Sequence, residues 1–382
     1  MQHADLAPLI RTGMGTALSS RERVNRMFAR QEHDRVPRHE TFWDETITRW
    51  QGEGLCGGAD AALARLGSDL HWIARSDPVP YPGRRDVIEE KAETQIIRDQ
   101  HGALLRVWKG RSGTPEHLGW ECEHRCAWEQ RLKPAMLAAG VGLDVEEALR
   151  RFQAGRHAER WCYFTCIEAF EFTRRTLGDV VALTAMVEDP EWIRDLAHTQ
   201  MDFVLANFEA AWARGVQPDG VWVFGDIAYN RATMCSPAMY RELIWPEHKR
   251  LADWAHARGL KVIFHSDGDV NAMIPFYLEA GLDCLQPLEA KARMDLRQLA
   301  PRYGDRLAFF GNVDITVLAT NNREAIEQEV RAKLAAGMAT RGYMYHSDHS
   351  VPPTVSWDTF KFIIELLDRH ANYAGRVRTL TQ

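Results

Sequence analysis

The chain has 382 residues, of which 45% are hydrophobic and 26% are charged, the usual balance of a globular protein. This balance excludes intrinsic disorder as the main state, because there is ample apolar surface to bury. The 47 basic and 53 acidic residues leave a formal net charge of −6, which argues against nucleic acid or an anionic membrane as the main partner.

Targeting signals and cysteines indicate a cellular compartment. No apolar run approaches the roughly 18 residues that a membrane span needs, and the start of the chain lacks the basic residues and the apolar stretch of a signal peptide. The seven cysteines are odd in number and scattered, which disfavours a disulfide framework in a chain of this length. We therefore expect a cytoplasmic protein.

The first third of the chain predicts a helical extension and an insertion. A Ser-capped helix over 19–31 comes first, an extended piece follows Pro37, and a strand begins at Ser68. Between 85 and 130 the sequence pattern differs from the rest of the chain. Polar and apolar residues alternate there and a turn is expected at 99–102, which predicts a β-hairpin. We interpret the segment 85–130 as an insertion on the main fold.

From residue 160 onward, predicted strands alternate with predicted helices, which implies right-handed crossovers and a parallel sheet. The predicted strands begin near residues 37, 69, 160, 220, 261, 283, 306 and 342. Eight strands close a (β/α)8 TIM barrel. A doubly wound open sheet is the alternative, but it more often carries a glycine-rich phosphate loop, and neither GxGxxG nor GxxxxGK occurs. We predict an α/β protein with one barrel domain over 1–382.

Candidate functional residues lie where the predicted strands end, because active sites of such barrels occupy that face. The polar residues at these ends are Asp226, His265, Asp267, Glu289, Asn312, Asp314, His346, Asp348 and His349. Any one of them is also explained by a turn or a helix cap. Because polar groups occur at the ends of five successive strands, we favour the interpretation that they form a ring around one mouth of the barrel.

A metal site is predicted within this ring. His265 and Asp267 are two residues apart, a spacing that points both side chains to one side of a strand. Imidazole and carboxylate both bind divalent metals, and His349 or His346 would complete a three-ligand site with an open position, as in catalytic zinc sites. Glu289 would then be a fourth ligand or a base. The alternative for the last two histidines is a loop cap before the following proline pair.

Four segments carry a resemblance to a known family. They are ERVNRMFARQEHDRVP, the stretch from FGDIAYN to FHSDGDV, YGDRLAFFGNVD, and HSDHSVPPTVSWD. The chain resembles the uroporphyrinogen decarboxylase superfamily, which includes cobalamin-linked methyltransferases acting on methanol, methylamine and methoxylated compounds. The similarity is strongest over 219–370 and implies a (β/α)8 barrel.

The resemblance is closer to the methyltransferases than to the true decarboxylases. The decarboxylases grip the porphyrin propionates with an RQAGRY stretch, where this chain reads RHETFWDE and offers no equivalent arginines. The methyltransferases bind zinc through His-x-Cys and a later Cys. His265 matches that histidine, whereas Asp267 and His349 stand where the two cysteines would be. The resemblance thus implies a divalent metal, zinc first, held by these three residues.

The ligand change and the resemblance together suggest a reaction. Imidazole and carboxylate leave a metal a stronger Lewis acid than thiolates do, which suits an oxygen leaving group. We expect methyl transfer between a methoxylated or methylated small molecule and a corrinoid (cobalamin) carried by a separate protein, because no corrinoid-binding domain is recognisable. Asp226, Glu289 and Asp348 would be catalytic. The predicted substrate-binding residues are Phe42, Trp43, Tyr229, Asn312, Asp314 and His346.

Two other functions remain open at this stage. A metal-dependent decarboxylase or lyase acting on a small organic acid would use the same ring, with the metal as electron sink. A non-catalytic binding protein on a barrel scaffold is the third option, since fold does not fix function. A homo-oligomer is allowed, and segment 85–130 would either cover the barrel mouth or form a subunit contact.

Overall fold

The computed structural model describes residues 18–110, 113–140 and 142–373. Its strands are β1 (Leu70–Ser76), β2 (Asp86–Glu90), β3 (Thr94–Arg98), β4 (Ala103–Trp108), β5 (Glu116–Trp120), β6 (Trp161–Ile167), β7 (Gly220–Phe224), β8 (Ala228–Tyr229), β9 (Ala232–Thr233), β10 (Lys261–His265), β11 (Cys284–Gln286), β12 (Ala308–Phe310) and β13 (Tyr343–Met344).

The helices are α1 (Ser20–Phe28), α2 (Asp44–Gly52), α3 (Ala59–Leu66), α4 (Arg125–Ala127), α5 (Lys133–Ala138), α6 (Val145–His157), α7 (Ala169–Leu177), α8 (Asp179–Glu188), α9 (Pro190–Ala213), α10 (Pro237–Leu243), α11 (Trp245–His256), α12 (Ile274–Ala280), α13 (Leu296–Tyr303), α14 (Ile315–Leu318), α15 (Arg323–Met338) and α16 (Trp357–His370). A π-helical turn, Trp128–Leu132, joins α4 to α5, and a 3-10 turn spans Ala290–Ala292.

Seven parallel strands form the central sheet, in the order β1-β6-β7-β10-β11-β12-β13. The extended piece after Pro37 fills the gap between the two outer strands. On one side, Asp69 N donates to Arg38 O at 2.8 Å. On the other, Tyr345 N donates to Pro37 O at 2.8 Å and His39 N donates to Tyr345 O at 3.1 Å. The predicted eighth strand therefore closes the sheet, and the predicted barrel is confirmed.

Alternation along the strands divides the core into a lumen and an outer layer. Trp222 and Ile263 point into the lumen, whereas their neighbours Val221 and Val262 pack outward against helices. Helix α1 lies against the lumen cluster and contributes residues that are buried there: Val24, Met27 and Phe28. Burying each such side chain stabilises the fold by roughly 1.5–3 kcal/mol. Helix α1 is thus part of the core.

The segment 85–130 contains a four-stranded antiparallel sheet, β2-β3-β4-β5, rather than one hairpin. The predicted turn at 99–102 joins β3 to β4, and the Asp99 carboxylate fixes it by accepting from His101 N at 2.9 Å and Ala103 N at 2.8 Å. The sheet is docked on the barrel through Trp120, whose Nε1 donates to Arg175 O at 3.1 Å. The predicted hairpin is confirmed as β3–β4, with two more strands than expected.

The outer helices complete the barrel in the usual alternation with strands. The longest, α9, has 24 residues, and Asp189 caps it by accepting from Trp192 N at 3.2 Å. Its buried side chains include Leu196, Val204 and Phe208, and charged residues lie between them along the helix. Across the described ranges, no helix combines the length and the apolar composition that crossing a bilayer requires.

Candidate active site

Strand register brings three ionisable side chains together at the C-terminal mouth of the barrel. Phe224 of β7 pairs with His265 of β10, so Asp226 and Asp267, each two residues further on, lie side by side. Asp267 N donates to Asp226 Oδ1 at 2.9 Å, and His265 Nε2 lies 3.5 Å from the same oxygen. The potential ligand atoms of these three residues all lie within 4.8 Å of one another. We refer to Asp226, His265 and Asp267 as the mouth triad.

The orientation of His265 is set by the neighbouring strand. Gln286 pairs with His265 in the β10–β11 register, and its Oε1 lies 2.5 Å from His265 Nδ1. An amide oxygen only accepts, so Nδ1 carries a proton and Nε2 is the atom left to bind a metal. Sequence reasoning missed Gln286. The signal was its position at the C-terminal end of the strand adjacent to β10.

The mouth triad is electrostatically coupled. Burial opposes ionisation of Asp226, but the hydrogen bond and charge of His265 outweigh it and lower the Asp226 pKa to about 2. Burial likewise disfavours the His265 imidazolium, yet Asp226 and Asp267 raise the His265 pKa to about 9. Burial raises the pKa of Asp267, against the opposing charge of His265. A bound cation would therefore replace a proton on His265.

The triad has the donor set of a divalent-cation site. Asp267 Oδ1 is buried and has no hydrogen-bond partner among the residues described, which is rare for a carboxylate oxygen. Together with His265 Nε2 it supplies the imidazole and carboxylate donors that zinc accepts. His349 lies beside the triad rather than within it, with Nε2 3.8 Å from Asp267 Oδ2. Trp43 stacks over His349, with ring centroids 6.1 Å apart.

Glu289 and Asp348 hold the loops that form the mouth. Glu289 accepts from Gly268 N at 2.7 Å and pairs with Lys291 Nζ at 2.9 Å. Asp348 accepts from Ala290 N and Ile315 N, both at 2.8 Å. Burial raises the Asp348 pKa to about 6 in spite of these two hydrogen bonds. The predicted catalytic roles of Glu289 and Asp348 remain predictions, and the contacts seen are structural.

The structure does not bring Asn312 or Asp314 to the triad. Asn312 is fully buried, where its Oδ1 accepts from Leu296 N at 2.8 Å and from Lys333 Nζ at 2.7 Å. Asp314 caps α14 by accepting from Thr316 N at 2.8 Å. Both therefore serve the structural roles that asparagine and aspartate commonly fill after strands.

Phe42 is partly buried and His346 is fully buried, and both pack against core side chains, so their predicted substrate-binding roles remain predictions. Phe42 packs on Trp50, with ring centroids 5.3 Å apart, and His346 packs in the lumen against Phe310 at 5.0 Å. Strand alternation explains this, because both residues lie on the short segments that close the barrel and point into its packed layers.

Tyr229 and Trp43 occupy the mouth. Tyr229 is 56% exposed on the two-stranded ribbon β8-β9, where its carbonyl accepts from Asp269 N at 3.0 Å. Trp43 precedes α2 and lines a cavity that also reaches Asp226. Of the predicted substrate-binding residues, Trp43 is the one that this cavity contains.

A cavity of about 560 Å³ lies between the mouth, α7 and the insertion. The sequence did not predict the cavity-lining residues that lie outside the barrel, because the insertion that contributes them carries no recognisable motif. The residues added are His101, His117 and Trp120 from the insertion and Glu171, Arg174 and Arg175 from α7. Of the two roles considered for the insertion, covering the mouth agrees with this arrangement.

Comparison with known proteins identifies relatives over the barrel. The family model for uroporphyrinogen decarboxylase (URO-D) matches residues 178–370. The uroporphyrinogen decarboxylase of Pelobacter propionicus is 26% identical over 169 residues, 44% of this chain and 45% of that protein. The enzyme of the same name from Trichlorobacter lovleyi is 25% identical over 172 residues, 45% of this chain and 46% of that one. The chain thus spans less than half the length of either relative.

A solved structure shares the fold along nearly the whole chain. A methyltransferase from Methanosarcina mazei superposes with a TM-score of 0.61 at 13% identity, covering 92% of this chain and 98% of that one. The family match begins at the α7–α8 junction and ends with α16, so it includes the whole mouth triad and half of the chain. The chain belongs to the uroporphyrinogen decarboxylase (URO-D) family.

Proposed function

We propose that this protein is a metal-dependent methyltransferase that moves a methyl group from a methoxylated small molecule to a corrinoid on a separate protein. One observation carries the proposal: the mouth triad holds an Asp267 oxygen without a partner among the described residues, and its Asp226 lines a cavity large enough for a small organic substrate. The fold shared with a methyltransferase over 92% of the chain supports it.

The proposed ligands are His265, Asp267 and either Asp226 or His349. A divalent ion bound there would supply Lewis acidity toward the oxygen that the methyl group leaves. The protein's own contributions follow from the contacts. Gln286 fixes the tautomer of His265, the Asp226 carboxylate is ionised at neutral pH and can accept from a substrate hydroxyl, and Trp43 covers His349.

The balance of electrons in the transfer determines the oxidation state of the corrinoid partner. The methyl group leaves without the electron pair of the C–O bond, so the acceptor must supply a pair and the corrinoid must arrive reduced. The oxygen keeps the original pair and takes up a proton on release. Because the insertion covers one side of the cavity, the methyl acceptor has to approach the barrel mouth from the side that the insertion leaves open.

The first experiment combines metal analysis with a transfer assay. Mass spectrometry should find about one equivalent of zinc or another divalent ion in the wild type and much less in His265→Ala. Loss of the ion in either Asp226→Asn or His349→Ala would then identify the third ligand. The zinc-loaded protein should then methylate reduced cobalamin when a methoxylated phenol is added, as followed by the absorbance of the cobalamin. His198→Ala, which changes an exposed histidine on α9, should behave as the wild type does.

The proposal fails if the fully metallated protein methylates neither free cobalamin nor a corrinoid protein with any of a series of methoxylated compounds. It also fails if His265→Ala retains the wild-type rate of transfer, because the metal site would then be irrelevant to the reaction.

The curated relatives are named uroporphyrinogen decarboxylases, which favours decarboxylation as the second candidate reaction. In this chain the candidate is a metal-dependent decarboxylase or lyase acting on a small organic acid. The charges of the cavity disfavour it. Four lining residues are carboxylates and two are arginines: Asp99, Glu171, Asp179, Asp226, Arg174 and Arg175. Release of carbon dioxide from a carboxyl-labelled acid without any corrinoid would support this candidate over methyl transfer.

A further inference from the structure

The cavity lining includes a buried histidine of the insertion, His101. His101 is 4% exposed and lies in the β3–β4 turn, where its backbone N–H donates to Asp99 at 2.9 Å. Its ring packs edge-on against Phe172 of α7, with centroids 6.3 Å apart. Within the described part of the chain, Nδ1 has no hydrogen-bond partner. A rigidly held polar ring that lines a cavity and lacks a partner is suited to bind a ligand.

The protonation state of His101 limits what it can bind. Burial, assisted by the charges of Arg175 and Arg75, lowers the His101 pKa to about 3. The imidazole is therefore neutral at physiological pH and offers one N–H donor and one acceptor. Such a group recognises an uncharged oxygen by a hydrogen bond but cannot pair with a carboxylate by charge.

The arginines in the lining are already engaged by carboxylates. Arg174 pairs with Glu171 at 3.0 Å and with Asp179 at 2.8 Å, and Arg175 pairs with Glu171 at 2.9 Å. Asp99 adds a third carboxylate to Glu171 and Asp179, so the lining carries an excess of negative charge even when Asp226, whose charge a bound cation would neutralise, is left out. An anionic ligand would enter against this excess and would also lose its hydration.

Aromatic rings form part of the remaining wall. Trp43 lines the cavity from the barrel side, and Trp120 lines it from the insertion. His117 stacks on Trp120 with ring centroids 5.4 Å apart and planes inclined by 7°. Flat apolar faces of this kind favour a planar ring in the ligand.

We propose that His101 is a substrate-binding residue that hydrogen-bonds an uncharged oxygen, and that the cavity selects a neutral methoxylated aromatic compound over an aromatic acid. This inference deepens the proposed function, because it names the substrate class of the same site. It concerns binding alone, so it can be tested without any methyl transfer.

The test measures the binding of two matched probes to the zinc-loaded full chain by calorimetry at pH 7. The probes are 2-methoxyphenol, which is uncharged, and 4-hydroxy-3-methoxybenzoate, which has the same ring with a carboxylate added. We expect the uncharged probe to bind at least tenfold more tightly. His101→Phe keeps the packing on Phe172 but removes both ring nitrogens, and it should weaken 2-methoxyphenol binding roughly 3- to 10-fold.

Two further variants serve as controls. His124→Phe changes an exposed histidine of the insertion outside the cavity lining and should leave binding unchanged. His101→Gln restores a donor and an acceptor and should recover part of the affinity. Zinc content and circular dichroism should match the wild type in all three variants, so a loss of binding cannot be assigned to unfolding or metal loss.

Three results would overturn the inference: equal binding of the two probes, binding of neither, or unchanged binding in His101→Phe. Failure of the proposed function has a different signature. Selective, His101-dependent binding without methylation of reduced cobalamin would leave the substrate-binding assignment standing and would reject methyl transfer.

Discussion

Gln286 illustrates how a residue outside the metal ligands can control them. Its side chain accepts from His265 Nδ1, and Gln286→Leu would remove that acceptor while keeping a similar volume. Loss of such an orienting partner costs roughly 10- to 100-fold in metal affinity, so we predict a zinc affinity lower by that factor. Gln286→Glu retains an acceptor and should bind zinc at least as tightly. Competition with a chromophoric chelator measures both, and wild-type affinity in the leucine variant would contradict the prediction.

Glu40 makes stability depend on pH. Its fully buried carboxyl has a pKa raised by burial to about 8, although Ser347 donates two hydrogen bonds to it. His346 Nε2 lies 3.2 Å away, and burial lowers the His346 pKa to about 3, so the carboxyl proton can be donated to a neutral ring. The unfolded chain releases the Glu40 proton near pH 4.5. This contribution to stability is therefore present in full below that pH and is lost as pH rises to about 8.

Replacing Glu40 by Gln removes this titration. We predict that the free energy of unfolding falls between pH 6 and pH 9 by about 1–3 kcal/mol more in the wild type than in Glu40→Gln. Urea unfolding at the two pH values measures the difference. Equal pH dependence in the two proteins would show that Glu40 is ionised throughout this range.

The location of a single residue could be predicted from sequence where the two-residue period of a strand determines the direction of its side chain. The two-residue spacing of His265 and Asp267 was enough to place both at the mouth. The spacing could not show that Asn312 is engaged by Leu296 and Lys333, since those partners lie 16 and 21 residues away on other elements. A strand-end position is therefore readable from the sequence, whereas the availability of its polar atoms is not.

At the scale of elements, the junction of α7 and α8 determines how the insertion is docked. Gly178 has φ +79° and ψ 157°, a conformation that is almost confined to glycine. A Cβ there would lie 2.7 Å from the Trp120 ring, which lines the cavity. We predict that Gly178→Ala destabilises the protein by roughly 1–3 kcal/mol and weakens 2-methoxyphenol binding. Zinc content should stay unchanged, because Gly178 and Trp120 lie on the α7–α8 junction and on the insertion and not on the strands that carry the mouth triad.

Gly215→Ala is the matched control for this variant. Gly215 also has a positive φ, +89°, but nothing lies within 4 Å of the Cβ position. It should lose stability through the backbone alone and keep its probe affinity. Equal probe affinity in both alanine variants would mean that docking of Trp120 is not needed for the cavity.

The insertion also shows which elements a sequence reveals. The β3–β4 turn was predictable because Asp99 and Gly102 fit a tight turn between alternating residues. Strands β2 and β5 were not, because every residue of β2 is exposed and β5 has only partly buried residues at its end. Without a buried face there is no alternation of polarity to detect.

At the scale of the whole molecule, closure of the barrel joins the two ends of the described chain. The spacing of strand starts predicted eight strands, and the closing segment after Pro37 makes its contacts with the residue after β13 and with the residue before β1. The sequence did not show what holds this short segment in place. The answer is a buried carboxylate, Asp69, to which groups from α1 and from the closing segment donate.

Asp69 is fully buried and accepts from Arg23 Nη1 at 2.7 Å, Arg35 Nη1 at 2.8 Å and Arg38 N at 2.8 Å. Asp69→Asn keeps the shape but leaves two guanidinium groups facing a neutral amide. Breaking a buried ion pair on one side typically costs 3–5 kcal/mol, and we predict a loss of about that size in urea unfolding. Asp60→Asn, an exposed change on α3, should be nearly neutral. A loss below about 1 kcal/mol in Asp69→Asn would mean that backbone pairing alone closes the barrel.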